Sequence, residues 1–385
     1  MTKRHFAVFT SSRADFGIFL PLLKWLKSSE ACLLTLIVSG THLSLEHGQT
    51  INEIEQYGFQ RIETIDILTS STCEIGNIRA ASLALKGCGE ILHKLQPDIL
   101  VVLGDRFETL PCVQASVMLN IPVAHLHGGE TTGGSLDDLY RNAISKLSQL
   151  HFVSHSSHAK KLLKIGEPQS RIFDFGSLSA ERISSLEFRD LRQLEIELDF
   201  SLSCGFLMVS LHSATAEKVN CKKMAELIVD AVSKFDQFKV VISGPNADEG
   251  GQQIRHVFKE WSEKHPNRIL YRESYGWELN VNLMRNAKSL IGNSSSGIIE
   301  AASVGLPVIN IGNRQKSRFR GANVIDARFD LESIEASLHS AMSARFVKIA
   351  RRQTNPFFKF DTAKNISEVL LTTDLSVIKP TSETV

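Results

Sequence analysis

Three carboxylate side chains follow short apolar segments typical of buried strands, and they are the first candidates for chemistry. Asp105 ends VVLGD (101–105), Glu130 ends AHLHGGE (124–130), and Asp137 opens the helical pattern LDDLYRN (136–142). Removing a proton from a carbon atom needs a base, and burial with crowding of like charges raises the pKa of a carboxylate toward neutrality. We expect these three to form an acid–base set. Ordinary helix capping also accounts for Asp137, which is followed by Asp138.

A serine-rich turn is the second candidate, because it could bind phosphate. The segment IGNSSSGIIE (291–300) is typical of a strand end, a turn and a helix start, with Ser294, Ser295, Ser296 and Gly297 in the turn. Backbone N–H groups at a helix N-terminus, together with the positive end of the helix dipole, favour an anion there. Glu300 follows Ser296 by one helical turn and could accept hydrogen bonds from ribose hydroxyls. The same pattern also fits an ordinary serine N-cap.

Three cationic or titratable side chains also follow apolar runs. His212 lies in SLHSAT (210–215), His42 in SGTHL (39–43) and Arg13 in TSSRADFG (10–17). His212 could donate to a phosphate oxygen as a leaving group departs, and Arg13 could hold a diphosphate. The alternatives are structural histidines and a surface arginine. No Gly-x-Gly-x-x-Gly or Walker loop occurs, and neither HLH (125–127) nor the scattered cysteines have zinc-site spacing, so we expect no metal site.

Short apolar runs alternate with helical patterns along the whole chain. We predict strands over 5–10, 33–40, 98–105, 121–129, 150–156, 205–213, 238–246, 289–297 and 306–312. We predict helices over 19–29, 80–95, 136–150, 222–235 and 330–346. This alternation indicates α/β units with parallel sheets, divided into two similar halves by a charged linker over 179–199. Ligands of such sheets bind beyond the carboxyl ends of the strands, where the candidate side chains lie.

Length and charge limit the class of protein. A chain of 385 residues is too long for a typical single domain, and 43 Lys and Arg against 42 Asp and Glu argue against a nucleic-acid or membrane partner. The six cysteines form no Cys-x-x-Cys pair, which favours reduced thiols. The apolar run after MTKR is too short for a signal peptide or a membrane span, so we expect a cytoplasmic protein.

Taken together, these motifs resemble the UDP-hydrolysing UDP-N-acetylglucosamine 2-epimerases of bacterial sialic-acid biosynthesis. The resemblance runs from TSSRADFG through VVLGDRFE, HLHGGE and GNSSSGIIE, and it includes GPNADEGG (244–251), INIGNRQKSRFRGANVID (309–326) and NPFF (355–358). It implies two Rossmann-like domains facing across a cleft, the GT-B type. We assign residues 1–180 to an N-terminal domain with the acid–base carboxylates, 181–370 to a UDP-binding domain, and 371–385 to a polar tail.

The resemblance also implies a reaction and a set of roles. A carboxylate removes the proton at sugar carbon 2, UDP leaves to give 2-acetamidoglucal, and hydration yields N-acetylmannosamine. Asp105, Glu130 and Asp137 would be the acid–base groups in an order left open, and His212 would stabilise the departing UDP. UDP or substrate would be bound by Arg13, His42, Arg141, Asn246, Ser294, Ser295, Ser296, Gly297 and Glu300. The family implies no cofactor, a small-molecule UDP sugar as partner, and a homodimer or homotetramer.

Two positions depart from the family pattern. Asn142 follows Arg141 where the family usually has histidine, and Ser213 follows His212 where proline is common. Asparagine cannot gain or lose a proton near neutral pH, so activity here could be altered. Alternative functions are the same chemistry on a UDP-2,4-diacetamido-2,4,6-trideoxy sugar for legionaminic acid, a GT-B glycosyltransferase, and a nucleotide-sugar binding protein without catalysis. Non-hydrolysing epimerases are disfavoured because HGGE replaces their Glu-Ala-Gly-Leu-Arg stretch.

Overall fold

The chain divides into two compact units in a computed structural model, which describes residues 3–45, 48–67, 74–133, 136–213, 220–245 and 250–380. Unit 1 comprises Met1–Glu130, Asp137–Glu181 and Lys359–Val385, and unit 2 comprises Thr131–Leu136 and Arg182–Phe358. The chain therefore leaves unit 1 directly after Glu130 and returns to it at Asp137.

Unit 1 is built on a seven-stranded parallel sheet in the order β3-β2-β1-β4-β5-β6-β7. Its strands are β1 (Arg4–Thr10), β2 (Cys32–Ser39), β3 (Ile62–Ile65), β4 (Ile99–Leu103), β5 (Val123–Leu126), β6 (Leu150–Val153) and β7 (Ile172–Asp174). Phe6 and Val8 pack into the core on one face of the sheet, and Ala7 and Phe9 into that on the other. Burial of both faces explains why these strands are almost continuously apolar.

Helices cover the sheet of unit 1. They are α1 (Arg13–Ser28), α2 (Ile51–Gln56), α3 (Glu74–Leu95), α4 (Thr109–Met118), α5 (Asp137–Leu147), α6 (Ser156–Lys164), α7 (Leu178–Ser184) and, from the C-terminal segment, α15 (Thr362–Thr372). The boundary between the units falls inside α7, between Glu181 and Arg182.

Unit 2 repeats the arrangement with a six-stranded parallel sheet in the order β10-β9-β8-β11-β12-β13. Its strands are β8 (Phe206–Ser210), β9 (Lys239–Ser243), β10 (Ile269–Arg272), β11 (Ser289–Gly292), β12 (Val308–Ile311) and β13 (Val324–Ala327). Its helices are α8 (Leu191–Leu198), α9 (Cys221–Ser233), α10 (Gly251–Lys264), α11 (Gly276–Asn286), α12 (Ser296–Ile299), α13 (Leu331–Met342) and α14 (Ala344–Arg352).

The two sheets share one strand topology, so the predicted fold class of two Rossmann-like α/β domains is confirmed. Reading strands in chain order within each unit, both sheets begin 3-2-1-4-5-6. The order reverses between β1 and β4 in unit 1 and between β8 and β11 in unit 2. Open α/β sheets bind ligands at such reversal points, beyond the carboxyl ends of the strands.

Every predicted strand is present, but the predicted ends and connections need correction. The strand predicted over 289–297 ends at Gly292, so the serine-rich turn follows the strand as a loop. The predicted linker over 179–199 is largely helical, because it contains most of α7 and all of α8. The single helix predicted over 330–346 is two helices, since Ser343 is extended and caps the second of them.

The end of the chain differs most from the predicted domain limits. Residues 359–370, predicted to belong to the second domain, lie in unit 1. The cause is apolar packing, because Ala363, Ile366 and Leu370 of α15 join the core that contains Phe19 and Leu23 of α1. The predicted tail over 371–385 begins inside α15, and residues 381–385 lie outside the described part of the chain.

The described cysteines are free thiols. These are Cys32, Cys88, Cys112, Cys204 and Cys221; Cys73 lies outside the described residues. No helix in the described part of the chain has the length and apolar character needed to cross a membrane.

Candidate active site

Arg141 of α5 is the centre of the candidate site in unit 1. Its side chain is 3% exposed and donates from Nη2 to Asp105, which follows β4, and from Nη1 to Asp138 at 3.4 Å. Burial alone would lower the pKa of Arg141, but the charges of Asp105, Glu130, Asp138 and Asp137 raise it on balance. Asp105 therefore pairs directly with a buried, permanently charged guanidinium, and the charges of Glu130 and Asp137 also act on it.

Asp138 is the member of this cluster that sequence reasoning assigned only to capping. Asp137 lies four residues before Arg141, but the described hydrogen bond joins Arg141 to Asp138, three residues earlier. Lys161 of α6 also approaches Asp138 Oδ1, at 3.4 Å. Spacings of three and four residues both bring side chains together on a helix, so the pattern could not choose between the two aspartates.

Glu130 is the most buried of the candidate carboxylates and has partners from two loops. Its Oε1 lies 2.7 Å from His127 Nδ1 and accepts from Ser154 Oγ at 2.9 Å. Ser154 follows β6, and its Oγ lies 3.1 Å from His158 Nδ1. Lys161 Nζ donates to the backbone carbonyl of Glu130 at 3.0 Å.

The two glycines before Glu130 are required by close packing. Gly129 has a φ of +73°, and a Cβ there would lie 2.4 Å from the carbonyl oxygen of His158. A Cβ at Gly128 would lie 3.0 Å from Ser145 Oγ and 3.1 Å from His125 Nδ1. Glycine at both positions lets β5 turn sharply and bring Glu130 against the end of β6.

His125 supports the candidate site through two buried hydrogen bonds. Its Nε2 donates to the carbonyl of Gly104 at 2.8 Å, so Nδ1 accepts from Ser145 Oγ at 3.1 Å. Burial lowers the pKa of His125 to about 3, and the ring is neutral at physiological pH. This histidine ties the turn that precedes Asp105 to α5, which carries Arg141.

The predicted binding residues that follow β1 and β2 have protein partners. His42 is fully buried between Thr10 Oγ1 at 3.0 Å and Thr50 Oγ1 at 2.7 Å, and burial followed by the charge of Arg106 lowers its pKa to about 4. Arg13 is half-exposed and pairs with Glu53 at 2.6 Å. Both ring nitrogens of His42 are therefore engaged by threonine hydroxyls, as in a structural histidine. The substrate-binding roles predicted for His42 and Arg13 remain predictions.

Glu108 is a buried carboxylate that sequence reasoning missed. It is 2% exposed, and its Oε1 accepts from Arg106 Nε at 2.6 Å. Its Oε2 is buried and has no hydrogen-bond partner in the described part of the chain. Together with burial, the charge of Glu108 helps to raise the pKa of Asp15 on α1, while Arg106 opposes the rise. The sequence signal that could have identified Glu108 is its position at the end of VVLGDRFE, three residues after Asp105.

Unit 2 presents its own candidate site where its strand order reverses. Asn293, after β11, accepts from the backbone N–H of His212 at 2.7 Å and donates to the His212 carbonyl at 2.8 Å. The backbone carbonyl of Asn293 accepts from Arg314 Nη1 and Gln315 Nε2, each at 3.1 Å. Burial, with a smaller effect of the Arg314 charge, lowers the pKa of His212 to about 3. His212 is therefore neutral, and Arg314 carries the positive charge beside it.

The serine-rich turn leads into α12, which is a single helical turn and not a long helix. Ser294 Oγ lies 2.9 Å from Ser296 Oγ, and α12 ends at Ile299 before a 3₁₀ turn over Ala301–Val304. The backbone N–H of Gly297 is used within the turn, since it donates to the Ser294 carbonyl at 3.2 Å. The predicted phosphate site thus has less helix dipole behind it than the sequence indicated.

Glu300 lies in a buried aromatic setting. It is 9% exposed and accepts from Trp277 Nε1 at 2.9 Å, and the Arg182 guanidinium lies 3.7 Å from the centre of the Trp277 ring. Burial raises the pKa of Glu300 to about 7, although the Trp277 bond and the Arg182 charge oppose the rise. The sequence did not predict Trp277, Arg182 or Arg314 as members of the site. Arg314 lies in the INIGNRQKSRFRGANVID motif, which was the available signal. No local sequence pattern links Trp277 to Glu300.

The departures from the family pattern leave two buried oxygens without partners. Asn142 Oδ1 and Ser213 Oγ have no hydrogen-bond partner in the described part of the chain. Asn246, predicted to bind substrate, lies outside the described residues. The described residues also contain no group of three His, Cys, Asp or Glu side chains arranged to hold a metal ion.

Comparison with known proteins agrees with this architecture. The family model described as UDP-N-acetylglucosamine 2-epimerase matches residues 24–371. The chain is 34% identical over 341 residues to the GDP/UDP-N,N'-diacetylbacillosamine 2-epimerase (hydrolyzing) of Campylobacter jejuni, covering 88% of each protein. It is 33% identical over 362 residues to the polysialic acid biosynthesis protein P7 of Escherichia coli, covering 94% of this chain and 92% of that protein.

A solved structure shows the same fold. The crystal structure of UDP-GlcNAc 2-epimerase from Neisseria meningitidis, bound to UDP-GlcNAc, superposes with a TM-score of 0.79 at 17% identity, covering 96% of this chain and all of that one. UDP-sugar 2-epimerase is the class of enzyme that these matches support. The chain belongs to the UDP-N-acetylglucosamine 2-epimerase family.

Proposed function

We propose that the protein is a hydrolysing 2-epimerase that converts UDP-N-acetylglucosamine and water to N-acetylmannosamine and UDP. The observation that carries the proposal is the burial of Arg141 among Asp105, Glu130, Asp138 and Asp137. A buried arginine cannot act as an acid at neutral pH, so it allows several carboxylates to gather while leaving proton transfer to them.

The proposed reaction has two steps. In the first, one carboxylate takes the proton from carbon 2 while the bond between carbon 1 and the UDP oxygen breaks, which yields 2-acetamidoglucal. In the second, water attacks carbon 1 and gives its proton to a carboxylate, while a carboxyl group returns a proton to carbon 2 on the opposite face. Because one group must accept a proton and another must donate one, two carboxyl groups in different environments are the minimum.

The side chains of unit 2 are proposed to hold the nucleotide. Arg314 is the charged group for the departing diphosphate, since His212 is neutral and offers a hydrogen bond rather than a charge. Ser294, Ser295, Ser296 and Gly297 remain proposed phosphate contacts. Glu300, beside Trp277, is the proposed acceptor for ribose hydroxyls.

The second candidate substrate is UDP-N,N'-diacetylbacillosamine. The name of the Campylobacter jejuni relative supports it, whereas the name of the Escherichia coli relative supports the sialic-acid branch, at nearly the same identity. The chemistry at carbons 1 and 2 is the same for both sugars. Selectivity therefore depends on contacts to carbons 4 and 6.

Turnover in heavy water tests the proposal. The purified protein with UDP-N-acetylglucosamine alone is expected to release UDP and N-acetylmannosamine in equal amounts, with one deuterium at carbon 2 by mass spectrometry. Accumulation of UDP-N-acetylmannosamine would instead mark a non-hydrolysing epimerase. UDP release that needs an added acceptor would mark a glycosyltransferase, and binding without release would contradict catalysis.

Parallel assays with the two sugars separate the substrates. The kcat/KM for UDP-N-acetylglucosamine is expected to exceed that for UDP-N,N'-diacetylbacillosamine. The reverse order would move the substrate to the diacetamido sugar and leave the proposed chemistry intact.

A further inference from the structure

The reaction scheme does not use His127, although this histidine is a direct partner of Glu130. The side chains of His127 and Glu130 are 9% and 3% exposed, and Nδ1 and Oε1 are 2.7 Å apart. Ser154 Oγ donates to the same oxygen at 2.9 Å. Residues after two neighbouring strands, β5 and β6, therefore hold one oxygen of the candidate catalytic carboxylate.

The backbone of His127 is in an unfavourable conformation. Its φ is +63°, in the left-handed region that side chains with a Cβ rarely adopt. The backbone N–H of His127 donates to the Phe152 carbonyl at 2.9 Å, which anchors the turn to β6. Glycine would adopt this conformation without strain. Position 127 instead carries a histidine, whose Cβ the left-handed region disfavours.

The chemistry of imidazole explains what such a partner can provide. A group that alternates between base and acid needs a hydrogen bond donor while it is a carboxylate and an acceptor while it is a carboxylic acid. Neutral imidazole meets both needs, because Nδ1 donates in one tautomer and accepts in the other. The Ser154 hydroxyl has the same dual capacity, whereas lysine or arginine can only donate.

We propose that His127 is a positioning residue that holds Glu130 and changes tautomer as Glu130 gains and loses its proton. Nδ1 donates to the carboxylate and accepts from the carboxylic acid, and the balancing proton is taken up or released at Nε2 by exchange with water. The catalytic consequence rests on the proposed function, whereas the coupling between the two side chains does not. Other charged or titratable groups face this pair: Lys161 Nζ lies 3.0 Å from the Glu130 carbonyl, and His158 contacts Ser154. Arg141 interacts electrostatically with Glu130 and also pairs with Asp105 and Asp138.

His127→Gly is the variant that tests the proposal kinetically. Glycine adopts a positive φ without strain, so the turn is kept while the imidazole is removed. We expect kcat to fall about tenfold or more with KM within about twofold, and the acidic limb of the kcat–pH profile to move. His127→Asn, whose side-chain amide lies near the position of Nδ1 and can donate or accept, should recover part of kcat.

His151→Asn is the control at a second buried histidine. His151 Nε2 lies 3.0 Å from Glu167 Oε2 in another buried histidine–carboxylate pair of unit 1, one that has no proposed role in the reaction. This variant should lower the melting temperature and leave the kcat–pH profile in place. A His127→Gly enzyme with the kcat–pH profile of the wild type would overturn the proposal.

Side-chain ¹⁵N NMR tests the coupling without activity. The ¹⁵N chemical shifts that report the tautomer of His127 should change in Glu130→Gln, while those of His151 should not. If the ¹⁵N chemical shifts of His127 are the same in the wild type and in Glu130→Gln, the proposal fails whether or not the protein is active. If His127 responds but the wild type turns over no UDP sugar, the coupling stands and the proposed function fails.

Discussion

Replacing Glu300 by glutamine should stabilise the protein above neutral pH while weakening its binding of UDP. Glu300 is 9% exposed, and burial raises its pKa from 4.5 to about 7. Between these two pH values the folded protein holds a proton on Glu300 that the unfolded chain has released. The free energy of unfolding therefore falls as the pH rises through this window.

The size of the effect follows from the two pKa values. At 1.36 kcal/mol for each pH unit, the difference between 4.5 and about 7 corresponds to about 3 kcal/mol above pH 7. Glutamine carries no charge to desolvate, and its Oε1 can still accept the hydrogen bond from Trp277. For a unit of this size, about 3 kcal/mol corresponds to a rise in melting temperature of roughly 6–12 °C.

Thermal unfolding of the wild type and Glu300→Gln at pH 5 and pH 8 measures the effect. The two proteins should melt at similar temperatures at pH 5, and the variant should melt higher at pH 8. Glu278→Gln is the control, because it makes the same chemical change at an exposed position of α11 and should alter stability by less than about 0.5 kcal/mol.

Calorimetry with UDP completes the test. A neutral amide accepts hydrogen bonds less strongly than a carboxylate, so the Kd for UDP should rise about tenfold or more. Parallel pH dependence of melting in the wild type and Glu300→Gln would refute the reasoning about burial. An unchanged Kd would refute the ribose assignment alone.

Three further predictions concern unit 1. Glu130→Gln should lower kcat about a hundredfold or more with the UDP affinity retained, and unchanged turnover would contradict the acid–base assignment. Gly129→Ala should lower stability by more than about 2 kcal/mol, because φ is +73° and the new Cβ would meet the His158 carbonyl. Gly89→Ala in α3, where the nearest atom lies 4.0 Å away, should be neutral or stabilising by about 0.5 kcal/mol in the same melting assay. Arg141→Met leaves its carboxylates without their shared partner and should lower stability by about 3 kcal/mol; a melting temperature equal to that of the wild type would count against the cluster.

The central strands could be predicted from sequence, but the edge strands could not. Strands such as β1 and β4 are buried on both faces and are therefore apolar at almost every position. The strands at the edges of the two sheets are short and carry polar or partly exposed residues. They are β3 (IETI), β7 (IFD), β10 (ILYR) and β13 (VIDA), and none of the four was predicted.

The candidate site shows the same division between local and long-range information. Asp105 and Glu130 could be predicted because each follows a recognisable strand. Trp277 could not be linked to Glu300, since 23 residues and a strand separate them and only folding brings them to 2.9 Å. His127 lies in the HLHGGE motif, but the sequence does not reveal its positive φ or its contact with Glu130.

The return of the C-terminal segment to unit 1 has a consequence for synthesis on the ribosome. Multidomain chains usually fold from the N-terminus onward. Here the core around α1 includes α15, so unit 1 stays incomplete until residues 362–372 have been translated. Unit 2 ends at Phe358, before that segment. Unit 1, whose strands are translated before those of unit 2, is thus the later of the two units to complete its core, and until then the apolar face of α1 lacks part of its packing.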